Sequence, residues 1–460
     1  MSDYYLLALP ASVRGYETPG LVHVRRQILG DDELEKGGKV LLTFESNRSF
    51  ESLEPVVGRV ERADQALIVV RPEKTFRRSV PADEVRSVLG RGLARGVNVL
   101  SDEEFSQLVE FMGPPVIDEK DLLDHVQEYI SARGYYFDDE TIYNYHISLK
   151  TRPFVILAGL SGTGKSKLSQ LYAEALGHSS KDDRYLRVAV RPSWNDDRYL
   201  LGYLNTITGD YVAEPALDFI IEAERDRENL YFFCLDEMNL AHVEYYFSQF
   251  LSALEEEETA DRRIPLFSRS LAESMAGQGR EIGYEREVIV SPNLLFTGTI
   301  NVDETTQPLS DKVIDRANTI EFFDVDLEKV PPRRPTPEVT RVPAATWFSY
   351  RATEPDTSYR GDVVAIGEIL NKSGLGLGYR VLREIEMYLA NSRGLLEPDV
   401  AFDLQVKQRI LPRVRGSLAL RDTLNELIAF MQEHELPRSE TRLEEMARRL
   451  NHDGYTSFWR

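Results

Sequence analysis

Cysteine is nearly absent from this chain of 460 residues: Cys234 stands alone, which excludes an intrachain disulfide framework and any cysteine-rich zinc site. Histidine is scarce as well, seven in all, with no HExxH and no close pair. Long apolar runs are missing. Stretches such as Phe154 to Leu157 fall far short of the roughly 20 residues a membrane-spanning helix needs. The N-terminal MSDYYLLALP has no basic start ahead of an apolar core, so no secretory leader is read and a cytoplasmic protein without membrane contact is expected. Positive charge is in deficit, 55 Lys and Arg against 76 Asp and Glu, for a net −21. That balance excludes a surface that coats phosphate generally, though not a local basic groove.

What remains is globular: 42% hydrophobic, 28% charged and 10% aromatic, enough apolar material for a sizeable core. At about 150 residues per domain, the length suggests roughly three folding units. Residues 1–112 read as a small, mostly β domain, with strands expected at Tyr4–Leu9, Leu21–Ile28, Lys39–Phe44 and Val56–Val70 and a helix near Asp102–Met112. Gly113-Pro114-Pro115 reads as a linker, because consecutive prolines stop both helix and ladder. Strands alternating with helices over 118–325 predict an α/β domain with a parallel sheet. A Pro-rich connector, Val330 to Pro337, leads into a largely helical region, 338–460.

The chemistry is carried by three strand ends. Phe154-Val-Ile-Leu-Ala is a buried-strand pattern, and Gly159-Leu-Ser161-Gly162-Thr163-Gly164-Lys165-Ser166 follows it directly, opening a helix with Leu168, Leu171 and Leu176 as its apolar positions. This is a P-loop in its proper context. Its glycines let backbone N–H groups converge on phosphate oxygens, and the helix turns its positive end towards them. Lys165 is expected to reach the β- and γ-phosphates of ATP or GTP, and Ser166 to ligate Mg²⁺. A second apolar strand, Leu230 to Leu235, ends in Asp236-Glu237: Asp236 to hold Mg²⁺ through water, Glu237 to polarise the attacking water. Cys234 in that strand reads as a small core residue. A third, Leu294 to Ile300, ends in Asn301, placed for the γ-phosphate or the lytic water. Arg316, just ahead of the strand Thr319 to Phe323, reads as a surface ion-pair residue when taken alone.

Taken together, GLSGTGKS, FFCLDEMNLAHVEYYFSQFLSALE, GTINVDETTQPLSDKVIDRANTIEF and LEEMARRLNHDGYTSFW resemble the AAA+ superfamily, and within it the McrB-like branch related to MoxR and dynein-type modules, over about 118–460. The resemblance implies an AAA+ P-loop module with a helical lid, a homo-hexameric ring and NTP hydrolysis. It matches Asn301 to sensor 1, Arg316 to an arginine finger acting on a neighbouring subunit, and Arg380 of Gly378-Tyr-Arg380 to sensor 2. The gap between Glu257 and Val290 resembles the branch's inserted hairpin. It further implies the motor of a restriction-like DNA defence system with a separate, McrC-like nuclease subunit. A MoxR-like ATPase that remodels protein complexes is the rival. The branch's Asn-Thr-Ala-Asp-Arg-Ser is here Asn301-Val-Asp303-Glu-Thr-Thr, and a single Arg316 stands for adjacent arginines, so ATP leads GTP as fuel.

Other marks read plainly. The run Glu255–Glu258 is expected as a solvated helix end, and Tyr245, Tyr246 and Phe247 as core. Asp118-Glu-Lys120 is a loose nuclease match at a helix start, where acids are favoured anyway. Residues 71–95 hold seven basic side chains against three acidic, which makes the N-terminal domain the candidate contact for DNA.

Overall fold

The computed structural model describes residues 4–10, 17–18, 21–25, 39–46, 49–63, 67–76, 80–91, 96–111, 115–302, 307–323 and 326–459. The chain divides into two compact units, Met1–Asp121 and Leu122–Arg460. The fold is α/β: a five-stranded parallel sheet with a helical C-terminal region, and a small mixed sheet in the N-terminal unit.

In the first unit the described strands are β1 (Tyr4–Pro10), β2 (Glu17–Thr18), β3 (Leu21–Arg25), β4 (Lys39–Ser46), β5 (Ser49–Ala63), β6 (Leu67–Phe76), β7 (Val80–Pro81), β8 (Gly96–Leu100) and β9 (Pro115–Val116). Pairing is antiparallel except between β1 and β4. Helices α1 (Ala82–Leu89) and α2 (Asp102–Phe111) supply Val85, Leu89, Phe105 and Leu108 to a core with Leu6, Leu41 and Val57. Two segments differ from the strands and linker that the sequence predicts. The stretch Val56–Val70 is not one strand but the antiparallel pair β5 and β6, because its apolar pattern runs on from one arm of the pair into the other. The Gly113-Pro114-Pro115 linker is shorter than read: Pro115 and Val116 pair with Phe76 and Thr75, an edge position where proline costs no central ladder bond. Gly113 and Pro114 lie outside the described residues.

Next along the chain is helix α3 (Glu119–Ala132), whose first backbone N–H groups are capped by the Asp118 carboxylate at 2.9 and 3.2 Å. Asp118 is thus a helix cap. Helix α4 (Asp139–Thr151) follows, capped by Asp138. Then come β10 (Phe154–Gly159), α5 (Lys165–Ala175), β11 (Tyr185–Ala189) and α6 (Arg198–Leu201). A short hairpin, β12 (Tyr203–Leu204) and β13 (Tyr211–Val212), precedes α7 (Pro215–Arg225) and β14 (Tyr231–Asp236). After α8 (Val243–Tyr246) and α9 (Ser248–Ala253), the region expected as an inserted hairpin is the antiparallel pair β15 (Arg263–Pro265) and β16 (Glu287–Ile289), with α10 (Arg269–Gly277) between its arms. The sheet closes with β17 (Leu294–Asn301), α11 (Asp311–Ile314) and β18 (Asn318–Phe322).

The order across the sheet is β11-β14-β17-β10-β18, with every neighbouring pair parallel. Strands β10, β14 and β17 are buried almost throughout, as a parallel sheet covered on both faces requires. Tyr246 and Phe247 are core as expected, the Phe247 ring stacking on Phe250 and meeting Phe296 edge-on, while Tyr245 is exposed. From Ala344 the chain is largely helical, including α12 (Ala344–Ser349), α13 (Arg360–Asn371) and α14 (Tyr379–Ser392), and it forms a core around Ile366, Ile385, Tyr388, Leu424 and Leu443 that also takes in Ile147 of α4. Among the described residues no helix is long and apolar enough to cross a membrane.

Candidate functional site

Three strand ends meet at one edge of the sheet because of the strand order. Register pairs Gly159, the last residue of β10, with Asn301, the last of β17, and β14 lies beside β17 with Asp236 at its own end. The loop after β10 needs its glycines. A Cβ on Gly159 would meet the Phe322 carbonyl oxygen at 1.9 Å. Gly164, at φ 94°, caps α5 in the left-handed region, and a Cβ there would press on the Phe137 ring at 3.1 Å. Leu160, Ser161 and Gly162 are exposed, and the Thr163 hydroxyl donates to the Leu160 carbonyl at 2.9 Å.

Lys165 is the buried exception in this loop. Its ammonium donates to the Gly159 carbonyl at 3.2 Å and to the Leu160 carbonyl at 2.5 Å. Burial pulls its pKa below the usual lysine value, against the opposing pull of Asp236 and Glu237. Ser166 donates its hydroxyl to Asp236 Oδ1 at 2.5 Å, and Thr299 donates to the same oxygen at 2.9 Å. Glu237 stands at φ 53°, a left-handed conformation that an L-residue adopts at a cost of about 1–2 kcal/mol. Backbone strain of this kind gathers at functional sites. Here it is fixed by the Glu237 N–H donating to Thr299 Oγ1 at 2.9 Å, and Glu237 Oε1 accepts from the Asn301 amide at 3.0 Å.

Asn239 and Thr299 lie outside the candidate residues that the sequence marks. Asn239 is buried; its amide donates to the Asn301 carbonyl at 2.8 Å and its side-chain oxygen accepts from the Asn301 N–H at 3.3 Å, so it locks the end of β17. The available signal was spacing: Thr299 lies two residues before Asn301 and so on the same face of the strand. Cys234 is fully buried, and burial with the nearby Asp236 charge pushes its thiol up to about 12, the behaviour of a core residue.

Arg316 and Arg380 are not at this edge. Strands β10 and β18 are parallel with Val155 opposite Asn318, so Arg316 precedes β18 at the beginning of the strands, near Arg152. From there to Gly159 the sheet runs roughly 20 Å at the ~3.3 Å rise per residue of a parallel strand. That is longer than an arginine side chain. Arg316 forms an ion pair with Glu255, and Arg380, in the first turn of α14, reaches the same carboxylate oxygen at 2.5 Å. Glu255, expected as part of a solvated helix end, is therefore half-buried between two arginines; within that run, Glu257 fits the expectation, pairing with Arg383 at the surface. Burial raises the Glu255 carboxyl pKa, but Arg316 and Arg380 outweigh it and hold the group below the usual carboxylate range.

Arg409 completes this edge. It is 1% exposed, donates to the carbonyls of Ile314, Asp315 and Ala317, and pairs with Glu384. It thereby fixes the turn that carries Arg316. Leaving such a buried partner unpaired costs about 3–5 kcal/mol.

A family model described as "Domain of unknown function (DUF8727)" matches residues 338–455. No curated protein matches the chain. Among solved structures, one described as a "putative ATPase" from Cytophaga hutchinsonii ATCC 33406 is similar at 15% identity and a TM-score of 0.43, over 64% of this chain and 86% of that one.

Proposed function

We propose that this chain is a P-loop nucleoside triphosphatase, using ATP in preference to GTP, whose complete catalytic site is shared between two copies in a ring, expected to be a hexamer. The observation that carries it is the convergence of Lys165, Ser166, Asp236, Glu237 and Asn301 at one sheet edge, with Arg316 and Arg380 at the other. A site for hydrolysis needs a cradle for phosphates, a group to orient water, and positive charge for the transition state. Glu237, held by Asn301, would orient the water. Lys165 would leave its own loop carbonyls for the phosphates. Arg316 and Arg380 cannot span the sheet to this chain's P-loop, so a neighbour's nucleotide is their natural target.

The donor set fits Mg²⁺. Ser166 and Asp236 offer hard oxygens within hydrogen-bond distance of each other, and among the described residues no group of three or more His, Cys, Asp or Glu forms a metal cage. Mg²⁺ is commonly held by one or two carboxylates together with substrate phosphates and its own waters. When bound, it would neutralise charge developing on the phosphates. We expect hydrolysis by the full chain to require Mg²⁺. Lys165→Ala should cost about 1.5–3 kcal/mol of nucleotide binding, roughly ten- to a hundredfold in affinity, by loss of one charged hydrogen-bonding group. Equal nucleotide binding by the variant and the wild type, measured by titration calorimetry, would remove the P-loop assignment.

The wider role rests on the resemblance of the motifs: the motor of a restriction-like defence system, with cleavage supplied by a McrC-like nuclease subunit and DNA met by the N-terminal domain. Arg71 and Lys74 lie on β6 and Arg86 on α1, while Arg77, Arg78 and Arg95 lie outside the described residues. Arg91 is engaged with Glu104 at 3.3 Å and with the Val99 carbonyl. In a chain of net −21, DNA binding should depend on this local patch and weaken as salt rises. Neutralising Arg71, Lys74, Arg77 and Arg78 together should abolish duplex binding by the full chain and leave hydrolysis intact. No binding by the wild type at low salt would turn the reading to a MoxR-like remodeller of protein complexes.

A further inference from the structure

Two guanidinium groups converge on a single oxygen, Oε1 of Glu255. Five arginines gather at this edge, Arg152, Arg316, Arg380, Arg409 and Arg413, and two other acids, Glu384 and Asp315, serve three of them. Arg152 pairs with Glu384 at 2.8 Å, Arg413 with Asp315 at 2.5 Å, and Arg409 with Glu384 and three backbone carbonyls. Among the described residues Arg316 and Arg380 have one carboxylate between them, and no backbone carbonyls hold Arg380 as they hold Arg409. Arg316 is also drawn inward, its guanidinium donating to the Lys312 carbonyl at 2.6 Å, and only 17% of its side chain is exposed against 43% for Arg380. An arginine in this posture has to leave Glu255 before it can meet anything outside its own chain.

We propose that Glu255 is an internal stand-in for phosphate: in the separate chain it stows Arg316 and Arg380, and ring assembly exchanges its carboxylate for the terminal phosphate of a neighbouring copy's nucleotide. This rests on the shared-site reading above. The exchange is chemically reasonable. A carboxylate brings one negative charge and two acceptor oxygens, whereas a terminal phosphate brings more of both, and arginine forks bind it with paired hydrogen bonds. The Arg380 arm, 43% exposed, is a partly solvated ion pair of the kind that is weak enough to be displaced. Glu255 therefore opposes assembly in the absence of nucleotide and releases the arginines only to a stronger anion.

The test uses the full chain with ATP and Mg²⁺. Glu255→Gln keeps the shape and removes the charge; Glu255→Ala is a second variant in case one fails to fold, and Glu255→Asp keeps the carboxylate. Assembly is followed by sedimentation velocity, and hydrolysis per chain is measured across protein concentration. The expected result for the uncharged variants is a several-fold lower protein concentration at the assembly midpoint, with kcat at saturating protein unchanged. Glu255→Asp should keep the wild-type midpoint. An unmoved midpoint, or a lower kcat in fully assembled rings, overturns the proposal, the second outcome marking Glu255 as a brace for the arginines. The shared-site reading fails separately: Arg316→Ala would then hydrolyse ATP as fast as wild type.

Discussion

Glu237→Gln should bind ATP with wild-type affinity and turn it over on the order of a hundred- to ten-thousand-fold more slowly, the contribution usual for a positioned base. The change keeps the side chain's length and its bond with Asn301, since an amide oxygen still accepts from the Asn301 amide at the 3.0 Å contact. Only the ability to take or orient a proton is lost. The φ of 53° at this residue is set by the backbone bond to Thr299, which the substitution leaves in place. Binding is read by calorimetry and turnover by phosphate release. Undiminished turnover would move the base elsewhere, and joint loss of binding and turnover would mean that the variant had damaged the loop.

The second large effect falls on a residue far from the P-loop. Arg316→Ala should bind nucleotide normally, assemble, and hydrolyse about a thousand- to a hundred-thousand-fold more slowly, the range associated with an arginine supplied to a phosphoryl-transfer site. Its fold should survive, because Arg409 fixes the carbonyls of Ile314, Asp315 and Ala317 from the other side. Glu255 keeps Arg380 as its partner at 2.5 Å, so no carboxylate is left bare. Wild-type activity should accordingly rise with protein concentration. Full activity in a sample shown to be monomeric would exclude a role in trans.

The sequence displays the P-loop openly because its demands fall on the backbone. Gly159 and Gly164 are dictated by a carbonyl and a ring that no Cβ can approach, and such demands leave glycines at fixed spacing. Asp236, Glu237 and Asn301 are legible for a similar reason, each a polar residue ending an otherwise buried strand. The supports of these residues are not local. Thr299 meets Asp236 and Asn239 meets Asn301 only through the register of β14 against β17, which no short window records. Glu255 was hidden by its neighbours: four glutamates in a row read as solvent-facing, and only tertiary folding brings one of them to Arg316 and Arg380. The same blindness joined β5 and β6 into one strand, since apolar periodicity does not register a reversal of direction.

Whether two copies build one site can be read by mixing two damaged chains. Arg316→Ala keeps Lys165 and Glu237 but offers no arginine at that position; Glu237→Gln keeps Arg316 and, on this reading, would not activate water. Each alone should be nearly inactive. Residues that act as a unit lose activity together, so neither variant retains a partial site of its own. When the two are mixed and assembled with ATP and Mg²⁺, the P-loop of an Arg316→Ala chain can face the Arg316 of a Glu237→Gln chain. Hydrolysis by the mixture should lie far above the sum of the separate preparations if the site is shared. A mixture no more active than that sum, in rings shown to contain both chains, would contradict it.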